Sequence, residues 1–246
     1  MSGAAIRIGM LTPSSNTMLE PATYRLLQHM PSVSAHFARF PVTEIALSAS
    51  ALGQFDPEPI LQASDMLAHA KVDAIAWNGT SASWLGFERD TQLADSIQKR
   101  TAQYHPGIRA TTAILAINTL FQHLQAQRIA FVTPYTDDVQ QRIIGNYTEA
   151  GYACVSERHA GLRDNFSFCA VPAADIEAMI LAVAAEKPDA IAIVCTNMDA
   201  AALAPRMEKR IGIPVIDSIA ATLWGALDAL GVDKSPLREC GRLFSL

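Results

Sequence analysis

Arg7-Ile8-Gly9-Met10-Leu11-Thr12-Pro13 recurs later in the chain as Arg128-Ile129-Ala130-Phe131-Val132-Thr133-Pro134. Asp73-Ala74-Ile75-Ala76-Trp77-Asn78-Gly79-Thr80 recurs as Asp189-Ala190-Ile191-Ala192-Ile193-Val194-Cys195-Thr196. In each half one short apolar run ends in Thr-Pro, and a later one ends in a small residue followed by Thr. The spacing is too long for a solenoid unit, so two echoes in the same order imply two duplicated lobes.

Outward from these segments, short apolar runs alternate with longer stretches of helical periodicity, the pattern of βαβ units around a parallel sheet. Strands are expected at Arg7–Leu11, Val33–Ala38, Ala74–Trp77, Ala110–Thr112, Arg128–Val132, Ala153–Ser156, Ala190–Val194 and Pro214–Ile216. Helices are expected near Thr17–Met30, Pro57–Ala70, Thr91–Tyr104, Ala113–Leu124, Asp137–Ala150, Ala173–Ala185, Ala200–Arg210 and Ser218–Leu230, several behind a capping Asp, Ser or Thr. The predicted fold class is α/β: two pseudosymmetric lobes, each a mainly parallel sheet flanked by helices. The first lobe is expected over residues 1–114 plus 217–246 and the second over residues 115–216.

Half of the 246 residues are hydrophobic and 17% are charged, which suits a packed globular chain. The net charge of -5 comes without a basic run, which argues against nucleic acid as a partner. Met1–Ile8 contains no apolar signal-peptide core, and no segment reaches about 18 uninterrupted apolar residues. A cytoplasmic protein with no membrane partner is the expectation; a homo-oligomer is compatible with it. The four cysteines form neither a CxxC pair nor a zinc spacing. No GxGxxG, Walker, GxSxG or HExxH motif occurs.

Parallel sheets bind ligands beyond the carboxyl ends of their strands. Thr12–Asn16, Gly79–Ser81, Thr133–Tyr135 and Cys195–Asn197 are therefore expected on one cleft, with Gly79 opposite Cys195. Cys195, ahead of a helix start, is expected to be drawn toward its thiolate by nearby amides; against that stands the ordinary buried cysteine of a packed core. Cys154, Cys169 and Cys240 lack the strand-end setting. Gly79-Thr80-Ser81 offers hydroxyls and amides to an oxyanion, or is a simple turn. Asn16 has two amide hydrogens for a carboxylate, with Ser14, Ser15 or Thr17 left to cap the helix. Tyr135 is a phenol donor or a half-buried aromatic, and Asn165 reads as a turn residue. None of the six histidines lies on an echoed strand end.

At these residues the chain resembles the aspartate/glutamate racemase superfamily, in its branch of arylmalonate decarboxylases and maleate cis-trans isomerases, over nearly its whole length. The resemblance implies two α/β lobes around a cleft, with a catalytic cysteine at one or both pseudosymmetric strand ends. Gly79 occupies the first such position here and Cys195 the second. Gly79-Thr80-Ser81 and Tyr135 resemble the decarboxylase anion site. Asn16, Asn165, Thr196 and Asn197 resemble the isomerases, whose asparagines bind a substrate carboxylate. The implied function is cofactor-independent decarboxylation of a substituted malonate-like diacid: Cys195 protonates an enediolate held by Asn16, Gly79, Thr80, Ser81, Tyr135, Asn165, Thr196 and Asn197, with no metal. A thiol pKa near ambient pH would suit that step. The alternatives are a maleate-type isomerase or Asp/Glu-type racemase of a small dicarboxylate, and a small-carboxylate binding protein. Facing strand ends further imply that Gly79→Cys introduces racemase activity.

Overall fold

The computed structural model describes residues 5–48, 51 and 53–246; residues 1–4 of the expected first lobe lie outside it. Its eight strands are β1 (Ile6–Pro13), β2 (Val33–Phe40), β3 (Ala74–Trp77), β4 (Arg109–Thr112), β5 (Arg128–Thr133), β6 (Ala153–His159), β7 (Ala190–Ile193) and β8 (Val215–Asp217). They form two parallel four-stranded sheets, β2-β1-β3-β4 and β6-β5-β7-β8, so the same strand order occurs twice in sequence order. The α/β class with two lobes is thus the observed architecture.

The Asp that opens each second echo fixes that order. An Asp73 carboxylate oxygen accepts the Arg7 amide at 2.7 Å, and Asp189 accepts those of Gln127 and Arg128 at 2.9 and 2.8 Å. Each bond ties the start of a central strand to its neighbour. Ala-Ile-Ala in β3 and β7 is buried along its whole length, as expected of parallel strands covered by helices on both faces.

Nine helices surround the sheets among the described residues: α1 (Leu19–Leu27), α2 (Pro57–His69), α3 (Ala82–Leu85), α4 (Phe87–Thr101), α5 (Ala113–His123), α6 (Asp137–Glu149), α7 (Ala173–Ala184), α8 (Ala204–Ile211) and α9 (Ser218–Ala229). Three differ from expectation. α3 is an added single turn. α4 starts at Phe87, because Gly86 at φ 107° breaks the chain just before it. α8 starts at Ala204, ahead of a proline suited to a first turn. β1, β2 and β6 outrun their predicted ends because their parallel partners continue beside them, as Pro13 against Phe40 and Thr133 against His159.

α9 follows β8 of the second sheet but packs against β3, β4 and α5. Gly225 permits that approach: a Cβ there would lie 2.8 Å from the Ala116 Cβ and 3.2 Å from the Thr111 Oγ1. Gly225→Ala therefore sets a helix-propensity gain of about 1 kcal/mol against overpacking of about 1–3 kcal/mol between two rigid backbones. We expect net destabilisation, read as a lower midpoint in urea unfolding; an unchanged or higher midpoint would refute the close-contact account.

Candidate active site

The carboxyl ends of β1, β3, β5 and β7 meet at a small cavity. Its wall includes Pro13, Asn78, Gly79, Thr80, Ser81, Tyr135, Asn165, Cys195 and Thr196, with Val42, Ile45, Phe55, Trp77 and Trp84 on the apolar side. The cavity holds about 20 Å³, room for about one water. Over it the segments from the two lobes join: Ile45 N–H donates to Arg163 O at 2.9 Å, Asn165 N–H donates to Thr43 O at 2.9 Å, and Glu44 bridges Asp164.

Cys195 caps the end of β7 and is 2% exposed. Its N–H donates to Ser218 Oγ at 3.1 Å, and that hydroxyl donates to Ile193 O at 2.6 Å, which pins the strand end to the start of α9. The Asn197 N–H points at Sγ from 3.3 Å. That amide, with the Tyr135 phenol, favours the thiolate, but loss of water outweighs both and pushes the thiol up to about 12. The expected drift toward thiolate is thus reversed. Cys195 rests as a neutral thiol because burial penalises the charged form more than the amides reward it.

Facing it, the Thr80 hydroxyl and the Tyr135 phenol share a 2.7 Å hydrogen bond. Burial raises Tyr135 well above its ordinary range, with the neighbouring Cys195 adding to the effect, so it too is a neutral donor. The Gly79, Thr80 and Ser81 N–H groups have no acceptor among the described residues. Two hydroxyls, a phenol and three free amides around one space make a site for a carboxylate or oxyanion.

The asparagines behave differently. Asn16 caps α1, its Oδ1 accepting the Met18 and Leu19 amides at 3.0 and 2.9 Å, while its Nδ2 donates to Thr196 O and Oγ1 at 2.9 and 3.1 Å. The expected division of labour is therefore inverted: Asn16 caps, and the Ser14 and Ser15 hydroxyls bond the Val42 carbonyl. Asn197 mirrors Asn16 from the other lobe, accepting the Thr17 and Met18 amides and donating to Asn165 O at 2.6 Å. Both bind across the junction and neither is on the cavity wall. Asn165 is on the wall, its Nδ2 donating to Ser15 Oγ at 2.7 Å. Thr196 Oγ1 donates to Asn78 O at 2.8 Å, joining the two echoed strand ends. Thr12 and Thr133 turn inward, to Met10 O and to the Gln140 side chain.

Sequence reasoning passed over Ser218, Asp217 and Trp77. The first two stand as Asp-Ser before a helix, a cap signal, and Asp217 Oδ1 does cap α9. Burial raises the Asp217 carboxyl to about 7. Trp77 carried no signal beyond a strand-end aromatic. No grouping of three or more His, Cys, Asp or Glu suited to a metal occurs among the described residues, and none of the described helices is long and apolar enough to cross a membrane.

Comparison with known proteins adds a family match and near-complete overlaps. A family model described as arylmalonate decarboxylase matches residues 18–244. The chain is 24% identical over 236 residues to a maleate isomerase of Pseudomonas putida, covering 92% of each. It is 24% identical over 240 residues to an arylmalonate decarboxylase of Bordetella bronchiseptica, covering 96% of this chain and 95% of the relative. A crystal structure of a maleate isomerase variant from Pseudomonas putida S16 with maleate superposes with a TM-score of 0.88 at 22% identity, over 98% of this chain and 97% of the other.

The buried thiol gives the site a pH signature. Unfolded, Cys195 ionises near its ordinary 9.0; folded, it stays protonated to about 12. Above pH 9 the unfolded chain therefore binds fewer protons, and stability falls as pH rises. Relative to Cys195→Ala, the wild type should lose up to about 1.4 kcal/mol per pH unit above 9. Urea unfolding of the pair at pH 8, 9 and 10 measures this; a constant difference would mean that the thiol is not shielded.

Proposed function

The chain belongs to the arylmalonate decarboxylase family, and from that premise we propose that it decarboxylates a substituted malonate-like diacid without a cofactor, with Cys195 as proton donor. The observation that carries this reading is the pairing, across one cavity, of a protonated thiol with a cluster of unpaired donors, and the lack of any side chain at Gly79.

The steps follow from the chemistry of those groups. One carboxylate of the diacid enters the cavity and accepts hydrogen bonds from Thr80, Ser81, Tyr135 and the amides of residues 79–81. Asn165 and Thr196 border the same space, while Asn16 and Asn197 hold the two lobes in register. The bond to the other carboxylate breaks, CO2 leaves, and the bonding pair passes into the retained carboxylate to form an enediolate. Charge thus develops where donors already point, so stabilisation needs no reorganisation. The Cys195 S–H then transfers its proton to the reacting carbon. A thiol with a high pKa is a weak acid, but a carbanionic carbon is far more basic, so the transfer runs downhill. The Asn197 amide meets the thiolate left behind, which is reprotonated from solvent. The retained carboxylate is the electron sink, and no metal or organic cofactor enters these steps. A diacid is larger than the cavity, so entry requires the 43–45 and 163–165 segments to part.

A second reading, cis-trans isomerisation of a maleate-type dicarboxylate, is favoured by the polar asparagines at the junction and by the isomerase relative at equal identity. It asks Cys195 to add to a double bond as thiolate, the form that burial disfavours here.

Incubation with a malonate panel and with maleate in deuterated buffer separates the two. The expected products are CO2 and an acid carrying one solvent deuterium; fumarate instead would support isomerisation, and the absence of both would sink both. Cys195→Ala should lose about 10²–10⁴-fold in kcat, the usual worth of a placed proton donor, while still binding the diacid by calorimetry. Because the proton donor is the thiol, kcat should be flat from pH 8 to 9, above the Asp217 titration near 7; a rise with pH over that range would indicate a thiolate mechanism.

A further inference from the structure

The two echoed strand ends abut, yet only the second carries a reactive side chain. Gly79 stands where Cys195 stands in the other lobe, and its φ lies outside the left-handed region, so backbone conformation does not demand glycine. Trp77 does. A Cβ on Gly79 would lie 1.8 Å from the Trp77 Cζ2, 2.2 Å from Cε2 and 2.5 Å from Cη2, whereas real Cβ contacts essentially never fall under 3.0 Å. This neighbour is not the loose end of a flexible chain. The indole is 1% exposed and packs against Phe40 with ring centroids 4.8 Å apart. Its Nε1 is buried without a hydrogen-bond partner, so the ring is held by shape rather than by a polar contact. With Phe55 and Ser81, Trp77 also lines a neighbouring pocket of about 410 Å³, whose wall includes Leu85 and Asp90.

We infer that Trp77 is the specificity-determining residue that makes this a one-thiol site: its indole fills, on the first lobe, the space that the Cys195 side chain fills on the second. No acid or base on the side chain of residue 79 can then face Cys195 across a bound substrate, and the reacting carbon receives its proton from the Cys195 side. The facial consequence rests on the proton-transfer reading proposed above; the occupancy of the Gly79 side-chain space does not. On this inference Gly79→Cys by itself gives less racemisation than the facing strand ends imply, since the new side chain has no room while the indole stays in place.

The test is a double-mutant cycle of Gly79→Cys with Trp77→Val, repeated with Gly79→Ala as a smaller intruder. Melting temperature is the first readout and racemisation of enantiopure 2-phenylpropanoate in deuterium oxide the second, a probe chosen because its aryl group acidifies the α-proton. Gly79→Cys should lower the melting temperature by more than about 5 °C in the Trp77 background, a large effect for a chain of this size. In the Trp77→Val background the drop should be less than half as great, and Gly79→Ala should follow the same pattern. Racemisation should appear in Trp77→Val/Gly79→Cys alone, at least about tenfold above the wild type and both single variants. An unshifted melting temperature for Gly79→Cys and Gly79→Ala, or full racemisation by Gly79→Cys alone, would overturn the inference. So would a folded, decarboxylating double variant that fails to racemise. If the stability cycle shows the coupling and no variant, the wild type included, releases CO2 or exchanges the α-proton, the occupancy stands and the proton-transfer reading falls.

Discussion

Thr196 Oγ1 donates to Asn78 O across the lobe boundary at 2.8 Å, and on that contact the geometry of the cleft depends. It joins the ends of β3 and β7, two central strands that duplication would otherwise leave at the mouths of separate sheets. Asn16 and Asn197 reinforce it from either side, the Asn16 Nδ2 donating to Thr196 O and the Asn197 Oδ1 accepting the Thr17 amide of the opposite lobe. The Thr196 and Asn16 bonds are buried, where an unmade partner costs about 1–3 kcal/mol. A shift of one lobe against the other would strand several donors at once. The junction is therefore held in one register, and that register places the Gly79–Ser81 amides opposite the Cys195 thiol.

Burial at this junction acts in opposite directions on the two sides of the cavity. It removes water from Cys195 and Tyr135, which keeps both neutral. It also leaves the amides of residues 79–81 without solvent, so they gain from any anion that enters. The site thus sets two neutral donors, the Cys195 thiol and the Tyr135 phenol, beside amides that have no acceptor. The aromatic wall strengthens that contrast. Trp84 stacks edgewise on Tyr135 at 5.0 Å, and Phe168 does so at 5.6 Å, so the phenol is fixed in direction as well as dry.

Much of this was legible in the chain because it rests on short-range signals. Runs of three to six residues, mostly apolar with β-branched or small side chains, read as strands, and all eight appear in the structure. The paired echoes carried the two-lobe arrangement, since Asp73 and Asp189 do the same work at the feet of equivalent strands. What stayed hidden depends on side-chain direction. Asn16 can cap a helix or hold a carboxylate, and only coordinates show its oxygen on the α1 amides. Trp77 reads as an interior strand residue; that its ring lies over Gly79 follows from packing on Phe40, a residue far away in sequence. The ionisation of Cys195 was misjudged for a related reason. Nearby amides can be read from a helix start, but the depth of burial cannot.

Asp217 marks a difference between the two halves that lies behind the cavity wall. It lies at the end of β8, in register with Ile193 two residues before the thiol. One carboxylate oxygen caps α9, while the other is buried without a partner. Loss of solvent brings its titration to about 7, and its negative charge raises the neighbouring thiol. When Asp217 is ionised it opposes formation of the Cys195 thiolate, which favours the proton-loaded resting state. When it is protonated that repulsion vanishes. A single capping carboxyl thus links the fold of α9 to the acidity of the thiol at the end of β7, and its first-lobe counterpart at the end of β4, Thr112, has no charge with which to do the same.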